Sequence, residues 1–243
     1  MKKNIIILTH GWTGSSVFTG LLGKAGYNYG EQTVQKTDYD THENMELVEL
    51  NNQMMKELGY TGNHEHRFSS SVVDEMALNT ADIDLTPYRE FVKRCQNNRP
   101  WVWKDPRLTW TIRIWAKILS FDETAYIILT RDDEQAWISS NLRRHIQSRK
   151  FTREYNTGIT ISLKKFLNEN NQDYLEFQFE DLLLKPEYTV NSLNQFLDIE
   201  LSMDDVESVY KYPLYKKTKG LKDKLLATAI YIKNYNMRDF RKE

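Results

Sequence analysis

The 243-residue chain predicts an α/β fold: three layers, α/β/α, around a central and mainly parallel sheet. Three observations carry this reading. Short apolar runs recur at 5–8, 101–104, 125–129 and 174–179. Longer segments with apolar residues at helical spacing lie between them. Polar loops follow the strand ends at 9–16, 104–107 and 130–132. Strands alternating with helices call for a parallel sheet covered on both faces. In such a sheet, ligands bind beyond the carboxyl ends of the strands.

The elements follow in order. Ile5-Ile6-Ile7-Leu8 reads as a buried strand that feeds the turn Thr9-His10-Gly11-Trp12-Thr13-Gly14-Ser15-Ser16 and then a packed helix. That geometry points backbone N–H groups at an anion. The periodicity of Met45–Leu58 predicts a helix stopped at Gly59. Tyr88, Phe91, Val92 and Cys95 repeat at i, i+3, i+4, i+7, and Ile112, Trp115, Ala116 and Leu119 do the same. A shorter helix is expected around Trp137 and Leu142. Another follows Pro186, and a closing helix runs from Lys222. The polar segment 60–84 reads as an insertion or lid outside the core, and 201–243 as a C-terminal helical segment of a single domain spanning 1–243.

Composition narrows the function. Lys plus Arg total 33 against 34 Asp plus Glu, so no nucleic-acid partner is expected. No run approaches the ~18 apolar residues that span a bilayer, and the short N-terminal apolar run does not make a signal peptide. Cys95 is the sole cysteine, which excludes an internal disulfide and accords with a cytoplasmic setting. His64 and His66 have metal-ligand spacing without a third ligand, so a solvated loop and no metal are expected. Six Trp and 14 Tyr fill the core or line a pocket for a sugar or adenine ring.

The loop at 9–16 lacks a Gly-Lys-Ser/Thr ending, so it is not a Walker A phosphate loop. His10-Gly11 is similar to the oxyanion-hole loop of α/β-hydrolases, but the chain has no Gly-x-Ser-x-Gly elbow. The strand at 125–129 ends in Thr130-Arg131, a cation placed for a phosphate bound without metal.

Five ordered segments carry a resemblance. Arg131, with Ser139 eight residues on, resembles the 3′-phosphate-binding segment of the sulfotransferase family. Gly14-Ser15-Ser16 resembles the end of its 5′-phosphosulfate loop. His42-Glu43-Asn44-Met45-Glu46-Leu47-Val48-Glu49-Leu50-Asn51 is similar to a run of bacterial members, and Trp103-Lys104-Asp105-Pro106-Arg107-Leu108 to another. Phe179-Glu180-Asp181-Leu182 through Pro186-Glu187, then Phe196-Leu197, complete the set.

The resemblance implies a P-loop-like fold without a Walker lysine. It also implies a sulfuryl donor, 3′-phosphoadenosine 5′-phosphosulfate (PAPS), with 3′,5′-ADP as product, and a carbohydrate or other small hydroxyl or amine acceptor. Gly11, Trp12, Thr13, Gly14, Ser15 and Ser16 would bind the phosphosulfate; Arg131 and Ser139 would bind the 3′-phosphate. Lys104 and Arg107 would stabilise the transferring group, or pair with Asp105. Glu43 or His42 would accept the acceptor's proton, or Glu43 would stabilise the helix that follows it. Glu180 and Asp181 would tie the sheet rim to neighbouring loops. Lys216-Lys217-Thr218-Lys219-Gly220 is a solvated charge run or a loop over the donor.

One position departs from the family: Trp12 stands where a loop Arg or Lys is usual. Its absence removes on the order of 2–4 kcal/mol of transition-state stabilisation unless Lys104, Arg107 or a protonated His10 substitutes. The alternatives are a nucleotide-binding protein of the same fold without transferase activity, and an α/β-hydrolase.

Overall fold

The computed structural model describes residues 3–37, 39–60, 65, 68–210 and 219–237. The chain runs β1 (Asn4–Thr9), α1 (Ser15–Lys24), β2 (Thr33–Gln35), β3 (Asp40–Asn44), α2 (Met45–Glu57), α3 (Ser70–Leu78), α4 (Thr86–Gln96), β4 (Val102–Lys104) and α5 (Leu108–Trp115). It continues with β5 (Thr124–Thr130), α6 (Asp133–Leu142), α7 (Arg149–Glu169), β6 (Tyr174–Gln178), α8 (Phe179–Leu184), α9 (Pro186–Leu197), α10 (Met203–Val209) and α11 (Leu221–Lys233).

The main sheet has the order β4-β1-β5-β6, and every pairing is parallel. Ile7 lies between Lys104 and Ile127, and Thr9 pairs with Leu129. The loops after β1, β4 and β5 therefore leave the same edge of the sheet. Side chains alternate across a strand, and this divides the core in two. Ile6, Leu8, Trp103, Tyr126 and Ile128 face one side, with residues of α2, α3, α4, α5 and α7. Ile5, Ile7, Val102, Ala125, Ile127 and Leu129 face the other, with residues of α1, α8, α9 and α10. Both layers are apolar, so the central strands are buried throughout, as their uninterrupted apolar runs require. α6 packs against α11 through Trp137, Ile138 and Ala227.

The elements depart from expectation in three places. β2 and β3 form an antiparallel hairpin whose polar residues give no alternation to read. The long helix α7 was not anticipated, because polar Thr152, Asn156 and Ser162 share its buried face with Phe151, Ile159 and Leu163. The 60–84 segment is not wholly outside the core: α3 buries Val73 and Met76 in the first layer. His64 and His66 lie outside the described residues, as do Lys216, Lys217 and Thr218.

The tryptophans resolve in favour of core filling. Trp101, Trp103, Trp110, Trp115 and Trp137 are each at most 2 % exposed. Trp12 alone of the six is not buried, and it sits in the loop after β1.

Candidate active site

The loop after β1 is built for close approach. Trp12 and Gly14 both have φ of 69°, with Thr13 between them. A non-glycine residue in this left-handed region is uncommon, and Trp12 is strained there. Two left-handed residues flanking Thr13 bend the backbone sharply at this point. Gly14 precedes α1 with no capping side chain. The amides of Ser15 and Ser16 are therefore left for a ligand at the positive end of the helix; that of Val17 bonds the Gly14 carbonyl at 3.0 Å.

The hydroxyl of Thr13 does not join them. Thr13 is buried, and its Oγ1 meets Thr9 Oγ1 and donates to the His10 carbonyl at 3.3 Å. Thr13 thus braces the loop with its side chain. Gly14 is fixed by packing as well as by φ: a Cβ there would lie 2.4 Å from the Phe179 ring.

His10 does not serve as a substitute cation. Its Nδ1 donates to the Gly11 carbonyl at 2.8 Å. Burial, with Arg131 adding repulsion, pulls its pKa from 6.5 to about 4 against that hydrogen bond. At neutral pH it carries no charge. Its Nε2 is buried and has no partner among the described residues.

At the end of β5, Arg131 is 13 % exposed. Its Nη1 donates to the Trp12 carbonyl at 2.7 Å, and its Nε donates to Glu180 Oε1 at 3.3 Å. The other Glu180 oxygen accepts from the Asp132 amide at 3.2 Å. The guanidinium also lies 5.3 Å from the Phe179 ring centroid. Glu180 therefore ties the rim together, while the Arg131 Nη2 has no protein acceptor among the described residues. Ser139 is buried in α6 and shares no hydrogen bond with Arg131. A cleft of about 510 Å³ opens beside Arg131, between His10, Thr130, Asn156, Thr160 and Gln178. That volume is in the range of small-ligand sites.

At the end of β4, Lys104 is 1 % exposed and its Nζ lies 2.8 Å from Glu43 Oε1. Burial lowers the Lys104 pKa, and Glu43 opposes that. Glu43 is not the cap of α2: the Asn44 side chain accepts from the Leu47 amide. His42 has a left-handed backbone, φ of 54°, which breaks the strand's regular alternation and gives its ring contacts of its own. It packs on Tyr29 and against Gly20 of α1, 3.6 Å from Asp40. Burial first, then Lys104, lower its pKa against Asp40.

Arg107 takes the structural alternative. Its Nη1 and amide both reach Asp105 Oδ1, and its Nε reaches Asn52. Asp105 is fully buried and also accepts from Asn51, whose own oxygen accepts from Thr111 and Trp115.

Sequence reasoning missed Arg143, the C-terminal cap of α6. Its guanidinium lies 5.7 Å from the Trp12 ring centroid and 5.6 Å from that of Tyr39. Nothing local marks it, because its ring partners come from segments far earlier in the chain. Lys219, the described end of the basic stretch, docks on α6 through its amide and carbonyl to Gln135. Among the described residues no group of three His, Cys, Asp or Glu is arranged to hold a metal, and no helix is long and apolar enough to cross a membrane.

Comparison with known proteins gives one answer. A model of the sulfotransferase family matches residues 5–205. The chain resembles the sulfotransferase domain of the Synechococcus PCC 7002 olefin synthase with a TM-score of 0.53 at 14% identity, over 99% of this chain and 86% of that one. It also resembles the sulfotransferase domain from the curacin biosynthetic pathway, with a TM-score of 0.52 at 18% identity, over 92% and 82% of the two chains. At these identities the two structures speak for the fold. No curated protein matches the sequence.

Proposed function

The chain belongs to the sulfotransferase family, and from that premise we propose that it moves a sulfuryl group from PAPS to a hydroxyl or amine of a small acceptor. The hydrolase alternative falls with family membership and the missing serine elbow. One observation carries the donor assignment. The rim joins a strand-end arginine, whose Nη2 has no protein acceptor among the described residues, to a helix N-terminus whose first amides are uncapped. Anionic groups at two ends of one ligand match that pair.

In this reading Arg131, with Ser139 on the following helix, holds the 3′-phosphate, and the nucleoside lies in the adjoining cleft. The amides of 13–16 hold the phosphosulfate. The S–O bond to the 5′-phosphate breaks and its electron pair stays on the phosphate. Sulfur bonds the acceptor atom, and the acceptor's proton passes to Glu43. Lys104 orients that carboxylate before the reaction. Once Glu43 is neutral, the Lys104 charge is available to the transferring group. Most of the rate then comes from positioning and charge, as in phosphoryl transfer. Arg107 acts through Asp105 as a brace for the loop after β4. The burial of five tryptophans removes composition as an argument for a sugar acceptor, so the acceptor class is left to experiment.

The test is calorimetry with 3′,5′-ADP on the wild type and Arg131→Ala, then transfer from PAPS across glycan, phenol and amine acceptors. Binding that Arg131→Ala abolishes, with turnover on at least one acceptor, is expected. No binding, or binding unchanged in the variant, overturns the proposal.

A further inference from the structure

Lys104, Arg107, Arg131 and Arg143 are not equivalent as sources of positive charge for the loop after β1. Lys104 is paired with Glu43, Arg107 with Asp105 and Arg131 with Glu180. Each pair is close to neutral as seen from the loop. Arg143 is different. It is exposed, and no carboxylate lies in ion-pair contact with it among the described residues. Instead, two aromatic rings hold it, that of Trp12 in the loop itself and that of Tyr39 just before β3. Cation–π contact fixes a guanidinium in place without cancelling its charge. His145, whose ring lies 4.7 Å from that of Trp12, supports the platform from the same turn.

The strain at Trp12 acquires a meaning here. A bulky residue persists at φ of 69° only where its surroundings hold it, and Arg131 does so through the Trp12 carbonyl. One residue thus links two arginines: its carbonyl holds Arg131 and its ring holds Arg143. Ser139 and Arg143 are one turn apart on α6, about 6 Å by helix rise. The same helix therefore serves both ends of a bisphosphorylated ribose.

We infer that Arg143, held between the rings of Trp12 and Tyr39, is the cation that contacts the 5′-phosphate of the donor and stabilises the charge left there when the sulfuryl group departs. The inference rests on the donor assignment above and assigns a charge to a loop that carries none of its own. The negative charge grows on the bridging phosphate oxygen as the S–O bond breaks. An unpaired guanidinium beside it is worth more than any of the three already paired with carboxylates.

Nucleotides with one phosphate separate the two arginines without any need to know the acceptor. In the full-length protein, binding of 3′,5′-ADP, 3′-AMP and 5′-AMP is measured for the wild type, Arg131→Ala, Arg143→Ala and Trp12→Lys/Arg143→Ala. Arg143→Ala is expected to weaken 3′,5′-ADP and 5′-AMP about tenfold or more while 3′-AMP changes less than about twofold. Arg131→Ala is expected to weaken 3′-AMP and 3′,5′-ADP most, with a smaller loss for 5′-AMP because the Trp12 carbonyl loses its partner. The double variant, which moves the charge into the loop, recovers 3′,5′-ADP binding. Equal losses for all three nucleotides in Arg143→Ala, or no loss, overturn the inference while leaving the donor assignment intact. A wild type that binds none of them overturns the donor assignment, and the inference with it.

Discussion

Gly14→Ala tests whether the loop, Phe179 and Arg131 form one rigid unit. Two costs add. At φ of 69° an alanine pays roughly 1–2 kcal/mol for the left-handed backbone. Its Cβ would also stand 2.4 Å from two atoms of the Phe179 ring. That ring is buried, with Arg131 and Tyr210 against it, so it yields only by moving them. Overpacking of this kind costs about 1–3 kcal/mol, which gives roughly 2–5 kcal/mol in all. Gly26→Ala is the internal control. It has φ of 88° with nothing within 4 Å of the added carbon, so it carries the backbone cost alone. Urea unfolding followed by far-ultraviolet circular dichroism gives both losses, and their difference is the clash. Binding of 3′,5′-ADP, measured where both variants are folded, should weaken in Gly14→Ala and hold in Gly26→Ala. Equal loss of stability in the two variants, with binding unchanged in both, would refute the coupling of loop to arginine.

Other perturbations follow the same logic. Glu43→Ala strands the buried Lys104 ammonium and should cost about 3–5 kcal/mol; Glu43→Ala/Lys104→Met should recover most of it in urea unfolding. Asn51→Ala removes a donor to Asp105 and the acceptor for Thr111 and Trp115, for a loss of about 2–4 kcal/mol in the same assay. His10 sets a pH dependence. Its folded pKa of about 4 lies below the ordinary 6.5, so the unfolded chain binds the extra proton between those values. Its contribution is therefore complete above pH 6.5 and is lost as the pH falls toward 4, by about 3 kcal/mol in total. Unfolding midpoints against pH should flatten across that window in His10→Gln, with a residual slope from His42.

Much of this architecture is legible in the sequence, for physical reasons that vary by element. β1 and β5 are buried on both faces, so their apolar runs are continuous and stand out. The hairpin Thr33–Asn44 does not stand out, because its polar strands are held by turn hydrogen bonds such as those of Asp40 to Thr33 and His42. α5 is buried almost all round; helical periodicity blurs there, and the helix begins at Leu108, before the repeat that announced it. In the site, the position of Arg131 at the end of a buried strand was legible from the apolar run that precedes it. Its partners were not, since Glu180 and the Trp12 carbonyl come from distant parts of the chain. The choice between an ion pair and an anion contact at Arg107 could be made only once Asp105 was seen to be buried with Arg107 on its oxygen. Trp12 was legible as a departure, but its partner Arg143 was not.

The most direct test of the central claim is transfer of labelled sulfuryl from PAPS across the acceptor panel, with wild type and Glu43→Gln side by side. Turnover by the wild type on at least one acceptor is expected. In Glu43→Gln turnover should fall by about 10²–10⁴-fold while 3′,5′-ADP binding is retained. A wild type that binds 3′,5′-ADP tightly and transfers to nothing, or a Glu43→Gln variant with full turnover, would contradict the claim.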